Sequence, residues 1–122
     1  MSDDKKGLKR IYKAFFYSID GYKACFKTEA AFRQEVFASL LIIPLAFLLS
    51  STGVELALMI GSWGLVMVVE IINSAVERAI DRISEERHEL SKEAKDMGSA
   101  AVLACIFLCA IVWACILLPK IF

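Results

Sequence analysis

MGSAAVLACIFLCAIVWACILLP, residues 97–119, contains no charged side chain. About 20 consecutive apolar residues carry a helix across the hydrocarbon core of a bilayer, so this stretch predicts a membrane span over residues 95–119. A soluble domain has no use for so long an uncharged run. The rest of the chain is read outward from it.

Towards the N-terminus, VFASLLIIPLAFLLSSTGV (residues 36–54) is also uncharged, and a span over residues 30–50 follows. Pro44 lies inside it, where neighbouring helices in a membrane satisfy the carbonyl that a proline frees. Between these two runs, LALMIGSWGLVMVV (residues 56–69) meets Glu70, resumes as IINSAV and meets Glu77. The middle span, residues 54–84, therefore carries a carboxylate and extends beyond the hydrocarbon. With 58% apolar residues and a mean hydropathy of +0.61, the composition agrees with a membrane protein. The expected fold is all-α: an integral membrane subunit of three spanning helices in one domain, residues 1–122.

Residues 8–28 differ from the spans. Leu8, Ile11, Phe15, Ile19, Tyr22 and Phe26 recur at spacings of three and four, with Lys9, Lys13, Asp20, Lys23 and Lys27 mostly elsewhere. This pattern predicts an amphipathic helix on the membrane surface. Eight of the fourteen basic residues lie in residues 1–35 and five in residues 78–96, whereas the 50–56 turn has none. The positive-inside rule places the N-terminus and the 78–96 loop in the cytoplasm and the C-terminus outside, as in a multi-pass protein of a bacterial inner membrane. The N-terminus has no apolar core with a small-residue cleavage site, so it does not read as a removable signal peptide.

Fourteen basic residues balance fourteen acidic ones, which gives no reason to expect a nucleic-acid partner. The four cysteines form no CxxC pair and the chain has one histidine, which argues against zinc. Cys105, Cys109 and Cys115 sit in an apolar run, where cysteine behaves as a small hydrophobe.

Glu70 is the most informative residue, because a carboxylate inside a span is costly unless it is neutral, paired or facing water. Asn73, Glu77 and Asp81 follow it at i+3, i+7 and i+11, so the four form a polar stripe on one helix face. Such a stripe has the groups to hold a divalent cation and accept a proton; it equally has the groups to bond neighbouring helices together. Glu29, Arg33, Gln34 and Glu35 before the first span, and Lys95, Asp96 and Ser99 at the start of the third, fall at the same level. Glu29 and Arg33, four apart, are spaced to pair. There is no GxxxxGK[ST] loop, no GxGxxG turn and no HRD or DFG, so a bound nucleotide would depend on carboxylate-held Mg²⁺ and on Lys and Arg.

EAAFRQE (residues 29–35), EIINSAVERAIDRI (70–83) and ERHELSKEAKDMGSAAV (86–102) closely resemble the prokaryotic diacylglycerol kinase family of integral membrane enzymes. The likeness runs from Gly7 to the last span. It implies ATP-dependent phosphorylation of 1,2-diacylglycerol to phosphatidate for lipid recycling, in a homotrimer whose sites lie between neighbouring subunits. It implies further that Glu70 is the general base, supported by Asn73, and that Glu29 and Glu77 are the Mg²⁺ ligands.

By the same resemblance the nucleotide meets Arg10, Tyr17, Glu29, Glu77, Glu86, Arg87, His88, Lys95 and Asp96. The lipid meets Arg10, Ala31, Phe32, Arg33, Gln34, Glu35, Glu70 and Ser99. Arg87 stands where relatives commonly have an aromatic residue. Phosphoryl transfer needs positioning and charge neutralisation above all, so a metal held by carboxylates, cations and one base suffice. Partial burial also makes a carboxylate such as Glu70 a better proton acceptor. An undecaprenol kinase of the same architecture is the nearest alternative, and a small membrane transporter with an intramembrane Glu a more distant one.

Overall fold

The computed structural model describes residues 2–84 and 86–122, and among them every regular element is helical. The order is α1 (Ser2–Thr28), α2 (Ala30–Leu49), α3 (Gly53–Ile83) and α4 (Glu89–Ile121). The last three are long and apolar enough to cross a membrane, and α4 has the highest mean hydropathy at 3.0. Each overlaps an expected span. Pro44 sits within α2 without ending it.

The helices run longer than the apolar segments alone require. α1 begins before residue 8, and α4 starts at Glu89 rather than near 95. The expected 78–96 loop therefore shrinks to the few residues between Ile83 and Glu89. A local signal explains the start of α4: His88 Nδ1 accepts a hydrogen bond from the Leu90 amide at 3.0 Å and so caps the helix. α3 starts in a similar way, with Thr52 Oγ1 accepting from the Glu55 amide at 3.1 Å.

α3 is the central helix. It packs most extensively against α4, less against α2, and only slightly against α1. Met59 and Val66 are its fully buried residues, Ala46 of α2 is fully buried as well, and Trp113 of α4 donates from Nε1 to the Met59 carbonyl at 3.1 Å. On the other side, Trp63 Nε1 donates to Ser39 Oγ of α2 at 2.8 Å, and Ser39 in turn donates to the Glu35 carbonyl at 2.8 Å. These bonds give the indole N–H groups partners where no water is available. α4 has no fully buried residue within the single chain, so most of its apolar surface is left for lipid or for other protein.

α1 meets the bundle only near its C-terminal end. Cys25 is 5% exposed, and burial pushes its thiol pKa up. From Leu8 to Ser18 every residue is exposed.

Candidate active site

The predicted stripe on α3 is graded by depth. Glu70 and Asn73 are buried at 9% exposure, Glu77 is half-buried and Asp81 is exposed, each about one turn further along the helix. Ser74, buried at 5%, completes the polar stretch facing the end of α1. Asn73 donates through Nδ2 to Glu77 Oε1 at 3.4 Å, while its Oδ1 is buried without a hydrogen-bond partner. Gly98 of α4 makes room for that carboxamide, since a Cβ at residue 98 would collide with Asn73 Oδ1.

α2 supplies the facing carboxylates. Glu29 is the N-terminal cap residue of α2, but its side chain makes no capping bond; it lies 3.8 Å from Arg78 Nε, and Arg78 also bonds Thr28 Oγ1. The expected Glu29–Arg33 pair does not form. Arg33 Nη1 instead donates to the carbonyls of Phe26 and Lys27, both at 2.9 Å, and so closes the open C-terminal end of α1. Carbonyls at a helix C-terminus attract a cation as a carboxylate does, and these lie within Arg33's reach. Glu35 is half-buried, with Oε2 buried and unpartnered. Glu70 lies within electrostatic reach of Glu29, Glu77 and Glu35. Carboxylates from two helices thus converge on one end of the bundle.

The remaining predicted residues divide into three groups. Glu86, Arg87, His88, Lys95 and Asp96 line one hollow together with Asp81, at the α3–α4 connection. There Lys95 Nζ donates to Asp81 at 2.7 Å and Lys92 Nζ to Asp96 at 2.6 Å, both as exposed pairs that water screens. Arg10 and Tyr17 line a second hollow, far along α1 from Glu29. Ala31, Gln34 and Ser99 are exposed, whereas Phe32 is 3% exposed and belongs to the packed core. A single chain therefore gathers the acidic centre and the α3–α4 hollow but leaves Arg10 and Tyr17 apart.

Three further participants complete the neighbourhood, of which the sequence pointed only to Arg78, as a charged neighbour of Glu77. Arg78 is the cation beside Glu29, Ser74 is buried beside Asn73, and Gly98 accommodates the Asn73 carboxamide. Ser74 and Arg78 lie inside the quoted EIINSAVERAIDRI segment, so the signal was present; what each touches depends on the approach of another helix.

These features define a multi-pass helical membrane protein with a carboxylate centre at one end of its bundle. The sequence matches the prokaryotic diacylglycerol kinase family over residues 16–117. It is 52% identical over 112 residues to a diacylglycerol kinase of Pseudomonas aeruginosa, covering 92% of this chain and 91% of that one. It is 51% identical over 118 residues to the Escherichia coli K12 diacylglycerol kinase, covering 97% and 96%. It is 50% identical over 111 residues to that of Haemophilus influenzae, covering 91% and 94%. The chain belongs to the prokaryotic diacylglycerol kinase family.

Proposed function

We infer that this protein is a lipid kinase that transfers the γ-phosphoryl group of ATP to the free hydroxyl of 1,2-diacylglycerol, giving phosphatidate and ADP. The observation that carries this reading is the buried Glu70 at the head of an acidic stripe, in a chain that matches the family along most of its length. In the reaction the lipid hydroxyl oxygen bonds to the γ-phosphorus as the bond to the ADP oxygen breaks. Glu70 accepts the hydroxyl proton. Its position within a helix long and apolar enough to cross a membrane suits a lipid hydroxyl that reacts with its acyl chains still in lipid.

Glu29 and Glu77 are the residues that would hold Mg²⁺. Among the described residues no group of three or more His, Cys, Asp or Glu side chains is arranged around a metal position. Mg²⁺ takes one or two protein carboxylates and fills its shell with phosphate oxygens and water, and the reading rests on Glu29 and Glu77 as that pair. The partnerless Asn73 Oδ1 next to Glu77 adds a neutral oxygen to the same neighbourhood. When bound, Mg²⁺ neutralises charge on the phosphates. Asn73 steadies the Glu77 carboxylate, and Lys95 exchanges its exposed partner Asp81 for phosphate oxygen.

The assembly we propose is a homotrimer in the bacterial inner membrane, with the N-terminus and the α3–α4 connection cytoplasmic and the C-terminus outside. The distribution of Lys and Arg supports the orientation. The uncovered apolar face of α4 and the separation of Arg10 and Tyr17 from the acidic centre support sites shared between copies. The test is phosphorylation in mixed micelles with labelled ATP, offering diacylglycerol and undecaprenol in parallel. Labelled phosphatidate as the main product is expected. Preferential labelling of the isoprenoid alcohol would overturn the assignment of substrate.

A further inference from the structure

A triphosphate approaching Glu29, Glu70, Glu77 and Asp81 meets like charge, and each cation beside those groups holds a partner, of which Lys95 alone has been assigned to turn to phosphate. Arg78 faces Glu29, Lys95 holds Asp81, Lys92 holds Asp96, and Arg33 is bound to the carbonyls that end α1. α1 is different. Lys6, Lys9, Arg10 and Lys13 recur at i, i+3, i+4 and i+7, so they share a face, and with Ala14 and Tyr17 they line one shallow hollow. All four are exposed, and none is paired with a carboxylate among the described side chains.

The direction of this face selects its ligand. Leu8, Ile11, Phe15, Ile19 and Tyr22 occupy the opposite arc of the helix, so when that arc rests on lipid the basic hollow turns towards water. A basic face turned to water recruits a soluble polyanion. Lys13 also lies fifteen residues before Thr28, the last residue of α1 and the neighbour of Glu29, roughly 22 Å at 1.5 Å per residue, so the hollow and the acidic centre of one chain stay apart.

We propose that Lys6, Lys9 and Lys13 extend the nucleotide site: with Arg10 they form a cationic rail on α1 that captures the triphosphate of ATP for the acidic centre of a neighbouring copy. This rests on the lipid-kinase reading above. The rail supplies the positive charge that the acidic centre lacks, and it raises the capture rate most at low ionic strength, where the field reaches furthest.

The test compares two equal losses of charge on α1 in the full-length protein in zwitterionic mixed micelles. Lys9→Gln with Lys13→Gln removes half of the rail; Lys23→Gln with Lys27→Gln removes two charges outside the hollow. At about 20 mM ionic strength the rail pair is expected to lower kcat/KM for ATP about fivefold, shrinking to under about twofold at roughly 200 mM, while the other pair stays within about twofold throughout. KM for diacylglycerol should not move. Equal effects from both pairs, or none from the rail pair, would overturn the proposal. So would an effect that appears only with anionic lipid and only in KM for diacylglycerol, which would assign the hollow to the membrane surface. Binding of trinitrophenyl-ATP is measured on the same preparations, with circular dichroism to confirm folding. If the wild type phosphorylates no lipid, the kinase reading fails by itself, and the rail still stands or falls on whether the rail pair weakens analogue binding more than the control pair.

Discussion

The two ends of the membrane bundle treat polar groups in opposite ways. At the end away from Glu70, Lys120 Nζ of α4 donates to the Leu49 carbonyl at 2.9 Å, to Ser51 Oγ at 2.7 Å and to Glu55 Oε1 at 2.6 Å. Glu55 Oε1 also accepts from the Ser51 amide at 2.9 Å. That clasp joins α2, α3 and α4, and the ammonium uses all three of its donors. At the Glu70 end, Asn73 Oδ1 and Glu35 Oε2 are buried without partners, and carboxylates face one another. A satisfied cluster holds helices together. An unsatisfied one costs stability, and it persists where a ligand completes it.

This contrast is sharpest at Glu70. Glu70→Gln keeps size and hydrogen-bonding capacity but removes basicity, so kcat should fall about a hundredfold or more with KM for ATP nearly unchanged and the proposed trimer retained in detergent. Steady-state kinetics and oligomer state measured on one preparation check this. Near-normal turnover would make the Glu70 end as structural as the clasp.

A step down in size, Glu29→Gln and Glu77→Gln would each leave one carboxylate in the proposed Mg²⁺ site. The Mg²⁺ concentration for half-maximal activity should rise about tenfold, with little change in folding. Titrating Mg²⁺ at fixed ATP provides the measurement, and an unchanged Mg²⁺ curve with full activity would remove the metal role from both residues. Lys95→Met should act more mildly, raising KM for ATP roughly fivefold, because the chain length is retained while the phosphate loses an ammonium. Full activity at limiting ATP would return Lys95 to a plain partner of Asp81.

The smallest effect on chemistry is expected at the clasp. Glu55→Gln weakens a charge-assisted bond between α3 and α4, so Tm should drop by only a few degrees while turnover per folded protein stays within about twofold. Thermal unfolding in detergent, followed by assay of the surviving fraction, separates the two quantities. A large loss of kcat with unchanged Tm would erase the distinction between the ends.

Periodicity and charge along the chain account for much of this structure. Long apolar runs determine α2, α3 and α4, because a helix is the one open-ended element that satisfies its own backbone in lipid. The 3.6-residue repeat placed Glu70, Asn73, Glu77 and Asp81 on one face, since residues three and four apart are neighbours whatever surrounds the helix. Local sequence near helix ends was less legible: α4 reaches back to Glu89 because His88 caps it, a short-range bond that hydropathy does not register.

Contacts between helices were decided by tertiary structure alone. The spacing of Glu29 and Arg33 allowed a pair, yet Arg33 turned to the end of α1 and Glu29 faced Arg78, because a cation goes to whichever acceptors the packing brings near. Phe32 is buried, Gly98 admits the Asn73 carboxamide, and Arg10 stands far from Glu29, all consequences of where one helix lies against another. Sequence by itself determined which segments enter the membrane and which face of α3 is polar, because both depend on intervals along a single helix. Which polar groups are satisfied and which are left without partners depends on distances between helices, and only the packed bundle sets those.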